Sequence, residues 1–253
     1  MLDTLFLLEL AGDKWLSDIA AVFPESCRQA NWLAGEKLYE CSTILPLRRA
    51  KCIVPVGSIQ FINWYLHQQG MGALQAMNIP PELNYAPFLG RHIFQNVRKA
   101  ELPKLETQYG SLLVKPGLHP KRFPLTRTQY RDEIPDDEPL FVSQELKEPI
   151  LAEWRIFIMR GRIIAARPYF LEQWICPDRT ILLEMASALQ SRSAVALDVA
   201  ALANGRTVVI ECHPFIACGL YGFEGPDMLK MAKAAWMEEL NRQGSGDSSF
   251  PAI

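Results

Sequence analysis

The sequence predicts a mixed fold with α/β and α+β parts, and three observations support that prediction. The chain has 253 residues, of which 49% are apolar and 21% charged, a composition typical of a globular protein with a substantial core. Strand-like and helix-like segments alternate over about the first 85 residues, which is typical of a small open α/β sheet. After Glu153 the order becomes hairpin, helix, hairpin, helix, which indicates an α+β arrangement.

The first predicted domain, residues 1–85, contains two strands and two helices. Apolar runs predict strands at residues 5–10 and in KCIVPVGS, whereas helical spacing of apolar residues predicts helices in SCRQANWLAGEKLYE and IQFINWYLHQQG. The run at 5–10 is flanked by acids and not preceded by basic residues, so it is interpreted as a strand and not as a signal peptide. The Pro-rich stretch NIPPELNYAP marks the domain boundary.

The second predicted domain covers residues 86–148. Its first segment, GRHIFQNVRKAEL, has the apolar spacing of a helix. Three strand candidates follow, and an acidic loop, DEIPDDEP, separates the last two of them; the strands are SLLVKP, FPLTRTQYR and LFVSQEL.

The third predicted domain covers residues 149–242 and is followed by a tail, 243–253, whose small and polar composition predicts disorder. Each of its two hairpins precedes a helix. In chain order the segments are EWRIFIMRGRIIAARPY, DRTILLEMASALQ, ALDVAALANGRTVVIECHP and PDMLKMAKAAWMEELNR.

The overall charge argues against two classes of partner. A formal net charge of −2 provides no basic field for nucleic acid or an anionic membrane, and no apolar run approaches the ~18 residues of a membrane span. The six cysteines lack zinc-type spacing, so buried reduced thiols are expected. We therefore expect a cytoplasmic protein.

Two carboxylates in the second hairpin need an explanation. If Asn204-Gly205 is a two-residue loop, Asp198 faces Glu211 across the strands, with Cβ atoms about 5 Å apart. Ala196 then faces His213, on the same face of the hairpin. Opposed like charges destabilise a hairpin, so a shared proton, a nearby cation or a metal ion must offset the repulsion. A solvent-facing pair on an edge hairpin remains the alternative.

Four cations are candidates for the same site. Arg155 lies within an apolar strand, and its counter-anion is either structural or a ligand phosphate. A two-residue loop at Arg160-Gly161 puts Arg155 and Arg167 on opposite faces, whereas a three-residue loop makes them partners. Lys115 ends an apolar strand and Lys121 follows in the loop PGLHPKRFP; both suit phosphate oxygens, although exposed lysines are ordinarily surface residues.

These segments together resemble the ATP-grasp superfamily. The resemblance covers about residues 85–240, in the order VKP with Lys115, FVSQELKEP, EWRIF, and Asp198 followed by ECHPF. VKP, KRF, EWR and AARPY are most similar to the divergent arginine-arginine-lysine clade of bacteria and phages. The resemblance implies an ATP-grasp fold with an N-terminal pre-ATP-grasp α/β domain.

The resemblance also implies a function and a role for each site residue. It implies an ATP-dependent carboxylate–amine ligase that uses ATP, a carboxylate substrate and an amine or peptide acceptor, with Mg²⁺ as cofactor. The implied roles are ATP binding by Lys115, Lys121, Gln144, Glu145 and Leu146, metal binding by Asp198, Glu211 and His213, and catalysis by Arg155 and Arg167.

Two departures from the family pattern change these expectations. His213 stands where the family has asparagine, which weakens Mg²⁺ binding, favours Mn²⁺, or leaves the imidazole behind the ligands. The loop PGLHPKRFP has more proline than glycine, unlike a mobile phosphate lid. The rival interpretations are a non-catalytic ATP-binding assembly or regulatory factor and an ATP-grasp phosphotransferase. For the ligase, Asp198→Asn or Glu211→Gln is expected to abolish turnover and leave the fold intact.

Overall fold

The computed structural model describes residues 4–11, 14–15 and 52–244. Its N-terminal strands are β1 (Thr4–Leu8), β2 (Leu10–Ala11), β3 (Lys14–Trp15) and β4 (Cys52–Val56). β1 and β4 are parallel, and β2 and β3 are antiparallel. The strands predicted in KCIVPVGS and near residues 5–10 are confirmed, whereas the helix predicted in SCRQANWLAGEKLYE and the tail from residue 245 lie outside the described residues.

Helix α1 (Ile59–Gln68) follows β4, as the apolar spacing predicts. Ser58 caps its first turn, because the Ser58 hydroxyl accepts a hydrogen bond of 3.1 Å from the backbone N–H of Phe61. The chain leaves the helix through Gly70, whose φ of +71° lies in the left-handed region that glycine adopts without strain. Local sequence thus determines both ends of this helix.

A four-stranded antiparallel sheet, here called the central sheet, follows the Pro-rich stretch NIPPELNYAP. Its strand order is β5-β8-β6-β7. The strands are β5 (Ile93–Val97), β6 (Leu112–Pro116), β7 (Thr126–Arg127) and β8 (Leu140–Gln144), and the helices of this region are α2 (Ala86–Leu89) and α3 (Leu102–Tyr109).

Two predictions for the central sheet are wrong. The segment GRHIFQNVRKAEL contains strand β5 and not a helix, because Ile93 and Phe94 pair with β8 and Asn96 has a φ of +57° that a helix does not allow. In FPLTRTQYR only two residues are in a strand, and a 3₁₀ helix, Thr128–Glu133, follows at once. Tertiary pairing outweighed the helical spacing in the first segment.

A second four-stranded antiparallel sheet, here called the C-terminal sheet, has the order β10-β9-β11-β12. The strands are β9 (Ile150–Met159), β10 (Arg162–Leu171), β11 (Val195–Leu202) and β12 (Thr207–Pro214), and the helices are α4 (Arg179–Ala188) and α5 (Pro226–Arg242). The predicted order of hairpin, helix, hairpin, helix is confirmed.

Both faces of the C-terminal sheet are covered, which explains why every residue of β11 is buried. Met185 of α4 packs on one face together with Ile156. Phe157, on the opposite face, belongs to a core cluster with Ile62 of α1 and Trp236 of α5. Alternation along β9 places Arg155 on the face of Phe157, toward the N-terminal strands.

The described cysteines are free thiols, and three of the four are buried: Cys52, Cys212 and Cys218. Burial raises the pKa of Cys218 to about 12, so this thiol is protonated and unreactive at neutral pH. Within residues 4–11, 14–15 and 52–244, no helix has the length and apolarity needed to cross a membrane.

Candidate functional site

Four charged side chains form one row across the C-terminal sheet. Arg167 of β10 pairs with Arg155 of β9, and Arg155 pairs in turn with Asp198 of β11. Asp198 also pairs with Glu211 of β12. Cross-strand partners of an antiparallel sheet lie on the same face, so the row places two cations beside two anions.

The loop of the second hairpin differs from its prediction. Leu202 N–H donates to the Arg206 carbonyl at 2.9 Å, so Leu202 faces Arg206 and the loop has three residues, Ala203 to Gly205. The two-residue Asn204-Gly205 loop is therefore wrong. With three residues in the loop and an unbroken register, the partner of Asp198 would be Ile210 and not Glu211.

A β-bulge restores the pairing that the sequence predicts. The register shifts between Asp198 and Val199: Val199 faces Val209, whereas Asp198 faces Glu211, and Ile210 is the extra residue. The predicted partnership of Asp198 with Glu211 is confirmed. Ala196 and His213, which lie farther from the loop, are also partners as predicted.

The first hairpin reaches its arginine pair in a similar way. Arg162 faces Met159, so the loop consists of the two residues Arg160 and Gly161. A register shift between Ile163 and Ala165 then inserts one extra residue, and the two arginines become direct partners. Of the two alternatives, the loop length follows the first and the pairing follows the second.

The inner pair of the row, Arg155 and Asp198, is buried and bidentate. Arg155 Nε donates to Asp198 Oδ1 and Nη2 donates to Oδ2, both at 2.7 Å, and each side chain is 7% exposed. Burial alone would raise the pKa of Asp198, but hydrogen bonds from Arg155 and His213 hold that pKa below its ordinary value. A cation therefore offsets the repulsion expected between the acids.

The outer acid, Glu211, joins the two sheets. Lys115 Nζ, at the end of β6 in the central sheet, donates to Glu211 Oε2 at 2.6 Å. The His213 imidazole lies beside both acids, with Nε2 3.3 Å from Asp198 Oδ2 and 3.8 Å from Glu211 Oε2. Lys115, Glu211 and His213 are each about a quarter exposed, at 21%, 27% and 26%, so they remain accessible to a ligand.

A cavity of about 690 Å³ opens in front of this group. Its wall brings together five of the predicted site residues: Lys115, Lys121, Arg155, Glu211 and His213. Asp198 is not part of the wall, because it lies behind the guanidinium of Arg155. Arg167 is also not part of it, and its Nη1 donates to the carbonyl of Ala166.

A second cavity, of about 550 Å³, extends along the connection between the two sheets. The three predicted hinge residues, Gln144, Glu145 and Leu146, line it. Lys115 and Leu125 line both cavities, so the two spaces adjoin at Lys115. Glu145 forms an ion pair of 2.7 Å with Arg127 beside this second cavity.

The loop after β6 is braced by one buried acid. The Glu138 carboxylate accepts the backbone N–H groups of Leu118 and His119, each at 2.9 Å, and contacts the His119 ring and Arg122. Burial alone would raise the pKa of Glu138, but these hydrogen bonds lower it to about 2. The acidic segment DEIPDDEP is thus more than a solvated loop, since Glu138 organises the loop that carries Lys121.

Sequence reasoning did not find Asn78, which joins two strands that carry site residues. The Asn78 carbonyl accepts the N–H of Cys212 at 2.6 Å, and the Asn78 amide donates to the carbonyl of Pro116 at 3.0 Å. Asn78 therefore links the strand that carries Glu211 to the strand that carries Lys115. Only its place before Ile-Pro-Pro could have drawn attention to it, since asparagine tolerates its φ of +49°.

The predicted donor set for a metal ion consists of the two acids and the imidazole. In the part of the chain that the structure describes, no group of three or more His, Cys, Asp or Glu side chains is arranged to hold a metal ion. Mg²⁺, however, is usually held by one or two carboxylates together with substrate phosphates. Glu211, with its accessible carboxylate, fits that requirement better than Asp198, whose two oxygens accept from Arg155.

The family comparison gives a match over more than half of the chain. A family model described as an ATP-grasp domain, family 2 of the arginine-arginine-lysine clade, matches residues 88–231. No curated protein sequence matches the chain. The matched segment begins just before the central sheet and ends within α5, so it includes every residue of the charged row.

Solved structures of similar fold span nearly the whole chain. D-alanine–D-alanine ligase from Bacillus anthracis is 12% identical, with 94% of this chain and 98% of that one covered and a TM-score of 0.53. D-cycloserine synthetase DcsG is 11% identical, with coverages of 94% and 99% and a TM-score of 0.51. These likenesses show the fold alone.

A third solved structure is similar over a shorter length. It is the ATP-grasp ligase PsnB, complexed with a phosphomimetic variant of its minimal precursor, Mg and ADP. Its identity to this chain is 15% and its TM-score is 0.43, with 61% of this chain and 56% of that one covered. The chain thus spans little more than half the length of PsnB.

Proposed function

The chain belongs to family 2 of the arginine-arginine-lysine clade of the ATP-grasp superfamily, and from this premise we propose that it is an ATP-dependent carboxylate–amine ligase. The observation that carries the proposal is the position of the Lys115–Glu211 ion pair. It joins the two sheets at the point where the two cavities adjoin, within reach of the buried Arg155–Asp198 pair. Cations and anions in this order suit a nucleotide whose phosphates replace the direct Lys115–Glu211 contact.

The second cavity supports a position for the nucleoside. We assign adenine and ribose to the space along Gln144, Glu145 and Leu146, where the backbone between the sheets can bind the base edge and Phe141 adds an apolar wall. The triphosphate then points toward Lys115. Lys121, held in the loop that Glu138 braces, supplies the second cation.

We assign Mg²⁺ to the carboxylate end of the row, with Mn²⁺ as the alternative. Glu211 would hold the ion together with phosphate oxygens, whereas Asp198, whose oxygens accept from Arg155, and His213 are the other two members of the predicted donor set. When bound, the ion neutralises negative charge on the phosphates. Lys115 would then transfer from Glu211 to a phosphate oxygen, which leaves the Glu211 carboxylate available.

The residues of the row suit the formation of an acyl phosphate. A substrate carboxylate oxygen attacks the γ-phosphorus of ATP, the bond to the bridging oxygen breaks, and ADP leaves. The amine then attacks the acyl carbon, loses a proton and expels phosphate. Arg155 would stabilise the transferring group, because its guanidinium borders the first cavity and is held in place by Asp198.

Arg167 is assigned to the acceptor end of the row. Three strand spacings separate β10 from β12, which corresponds to about 14 Å between the backbones of Arg167 and Glu211. Arg167 is therefore the member of the row farthest from the metal end. We therefore propose that Arg167 contacts the carboxylate substrate or the acceptor, which a peptide could supply.

The burial of Asp198 supports a second candidate function, a non-catalytic ATP-binding assembly or regulatory factor. Both Asp198 oxygens already accept hydrogen bonds from Arg155, which leaves less of this carboxylate for a metal ion than a ligase uses. This alternative keeps the nucleotide site and gives up the reaction.

A thermal-shift experiment followed by a turnover assay tests the proposal. Mg-ATP is expected to raise the melting temperature of the wild-type protein, because a ligand that binds only the folded state stabilises it. ADP and phosphate are then expected only when a carboxylate and an amine are both supplied, and hydroxylamine should trap the acyl phosphate. Binding without turnover across a carboxylate and amine panel would favour the assembly factor, a stable phosphorylated product would indicate a phosphotransferase, and no thermal shift would exclude all three.

A further inference from the structure

The position of Glu211 depends on a single irregularity in β12. Between the loop and Val209 the register follows the three-residue loop, and beyond the extra residue Ile210 it is displaced by one position. In an uninterrupted strand Ile210 would face Asp198, and the Glu211 side chain would lie on the opposite face of the sheet. The bulge is therefore what brings the second acid to the nucleotide side.

One side chain binds the backbone at this irregularity. Arg91 Nη1 donates to the Val209 carbonyl at 2.7 Å, and Nη2 donates to the Ile210 carbonyl at 3.2 Å. Successive carbonyls of a regular strand point toward opposite edges, so one guanidinium reaches both only where the strand is bulged. The geometry of Arg91 thus matches the bulged form of β12 and not the regular form.

The chain around Arg91 is built to reach this position. Nη1 also donates to the Leu89 carbonyl at 3.0 Å, at the end of α2. Gly90, between them, has a φ of +64°, and an added Cβ would lie 2.8 Å from a methyl group of Val208. Only glycine lets this turn approach β12 so closely.

The partners of Arg91 are carbonyl groups. Within the described residues no carboxylate forms an ion pair with it, and burial lowers the pKa of its guanidinium to about 10, so it stays charged at neutral pH. A partly buried cation held by carbonyl oxygens alone is retained at a cost in solvation. That cost is understandable if the cation maintains a backbone shape that the site needs.

We propose that Arg91 is a positioning residue that maintains the bulge at Ile210 and thereby holds Glu211 beside Asp198. The proposal rests on the proposed function, because Glu211 is there assigned to the metal and phosphate end of the site. Arg91 acts through the backbone of β12, so its removal should raise the Mg²⁺ concentration that the protein needs. Its side chain also lines the second cavity, to which the nucleoside is assigned, so affinity for metal-free nucleotide does not isolate this role.

Arg91→Met tests the proposal, with Arg206→Met as the matched control. Arg206 is an exposed arginine that lines, together with Arg91, a further cavity of about 690 Å³ behind the hinge, and it makes one long contact of 3.4 Å with the Pro87 carbonyl. Arg91→Met is expected to raise the Mg²⁺ concentration for half-maximal turnover at least tenfold. Arg206→Met is expected to leave that concentration unchanged.

A double variant separates positioning from a general structural role. If Arg91 acts through Glu211, Arg91→Met should add nothing to the Mg²⁺ dependence measured for Glu211→Gln alone. Additive effects on that dependence would overturn the proposal. Should Arg91→Met fail to fold, Arg91→Lys replaces it, because one ammonium keeps the charge but cannot bridge two carbonyls in the fork geometry of a guanidinium.

A measurement without ligand keeps this inference separate from the proposed function. Backbone amide exchange over residues 207–214 should increase at least tenfold in Arg91→Met and remain unchanged in Arg206→Met. If wild-type protein shows no binding of Mg-ATP but the exchange rises as expected, the function fails and the backbone role of Arg91 stands. Unchanged exchange in Arg91→Met would reject that role whatever the activity.

Discussion

The two hairpins of the C-terminal sheet both bring two like-charged residues opposite each other, but they do so with loops of different length. The first has a two-residue loop and the second a three-residue loop, and in each one extra residue in the second strand lies between the loop and the charged pair. In both, the bulge makes two charged residues of the same sign direct partners. The inner strands carry the buried Arg155–Asp198 pair, whereas the outer strands carry Arg167 and the accessible Glu211.

This difference separates structural from chemical roles. The inner pair saturates itself with two hydrogen bonds of 2.7 Å and is shielded from water. Glu211, on the outer strand, has its partner in the other sheet and faces a cavity. We infer that the inner pair holds the sheet and aims Arg155, while the outer acid exchanges partners when a ligand binds.

The largest expected effect is on stability, from Asp198→Asn. Removing one partner of a buried ion pair leaves an uncompensated charge, so the free energy of unfolding should fall by about 3–5 kcal/mol. The structure thus changes the expectation, from the sequence, that this variant keeps its fold intact. Urea unfolding measures the loss. The double variant Arg155→Met with Asp198→Leu is the control, and it should be more stable than Asp198→Asn; equal losses would contradict the buried-pair argument.

Glu211→Gln should show the opposite behaviour. Its ion pair with Lys115 is partly exposed, so the free energy of unfolding should change by about 1 kcal/mol or less. Turnover should fall by about a hundredfold or more, because a group that stabilises charge at the reacting phosphate is lost. Parallel unfolding and rate measurements check this, and a Glu211→Gln protein with wild-type turnover would remove Glu211 from the site.

The two loop glycines give a smaller difference. Gly161 and Gly205 both have positive φ, +76° and +81°. A Cβ at Gly161 would lie 3.0 Å from Cβ of Gln190, whereas at Gly205 it would meet nothing within 4 Å. Alanine at either position should cost about 1–2 kcal/mol from the backbone, and Gly161→Ala about 1 kcal/mol more from crowding. Equal melting temperatures for the two variants would show that the first loop yields to the added methyl group.

A further prediction concerns the acid dependence of the inner pair. The pKa of Asp198 is lower in the folded than in the unfolded chain, so its contribution to stability is full at neutral pH. That contribution is lost as the pH falls below about 3.9, the ordinary value for an aspartate, toward the lower folded-state pKa. Unfolding curves from pH 7 to pH 2 should show this loss in the wild-type protein and not in Arg155→Met with Asp198→Leu. The same acid limb in both proteins would assign it to other carboxylates.

The sequence predicted the pairing of the two acids correctly, although the loop length from which that pairing was derived is wrong. Asp198 and Glu211 are partners, yet the loop between them has one residue more than Asn-Gly suggests, and the extra residue Ile210 compensates. Bulges are set by contacts from elsewhere in the chain, here from Arg91, and local spacing does not reveal them. For the same reason, the sequence did not decide whether Arg155 and Arg167 of the first hairpin are direct partners.

The fold was predictable where local signals agreed with tertiary packing. Helix α1 with its Ser58 cap, α4 with its Asp178 cap and the long hairpins all follow from period and turn residues. β5 was missed because its strand character comes from pairing with β8. Glu138 was missed because a buried acid in DEIPDDEP looks, in sequence, like its solvated neighbours.

The contacts of Asn78 and Arg91 also have a consequence for how the molecule behaves among copies of itself. β12 is the outermost strand of its sheet, and an uncovered strand edge is a template on which another polypeptide can add. Here the N–H of Cys212 already donates to the Asn78 carbonyl. The carbonyls of Val209 and Ile210 already accept hydrogen bonds from Arg91. The segment that aligns the acids therefore also protects this border against strand addition and aggregation.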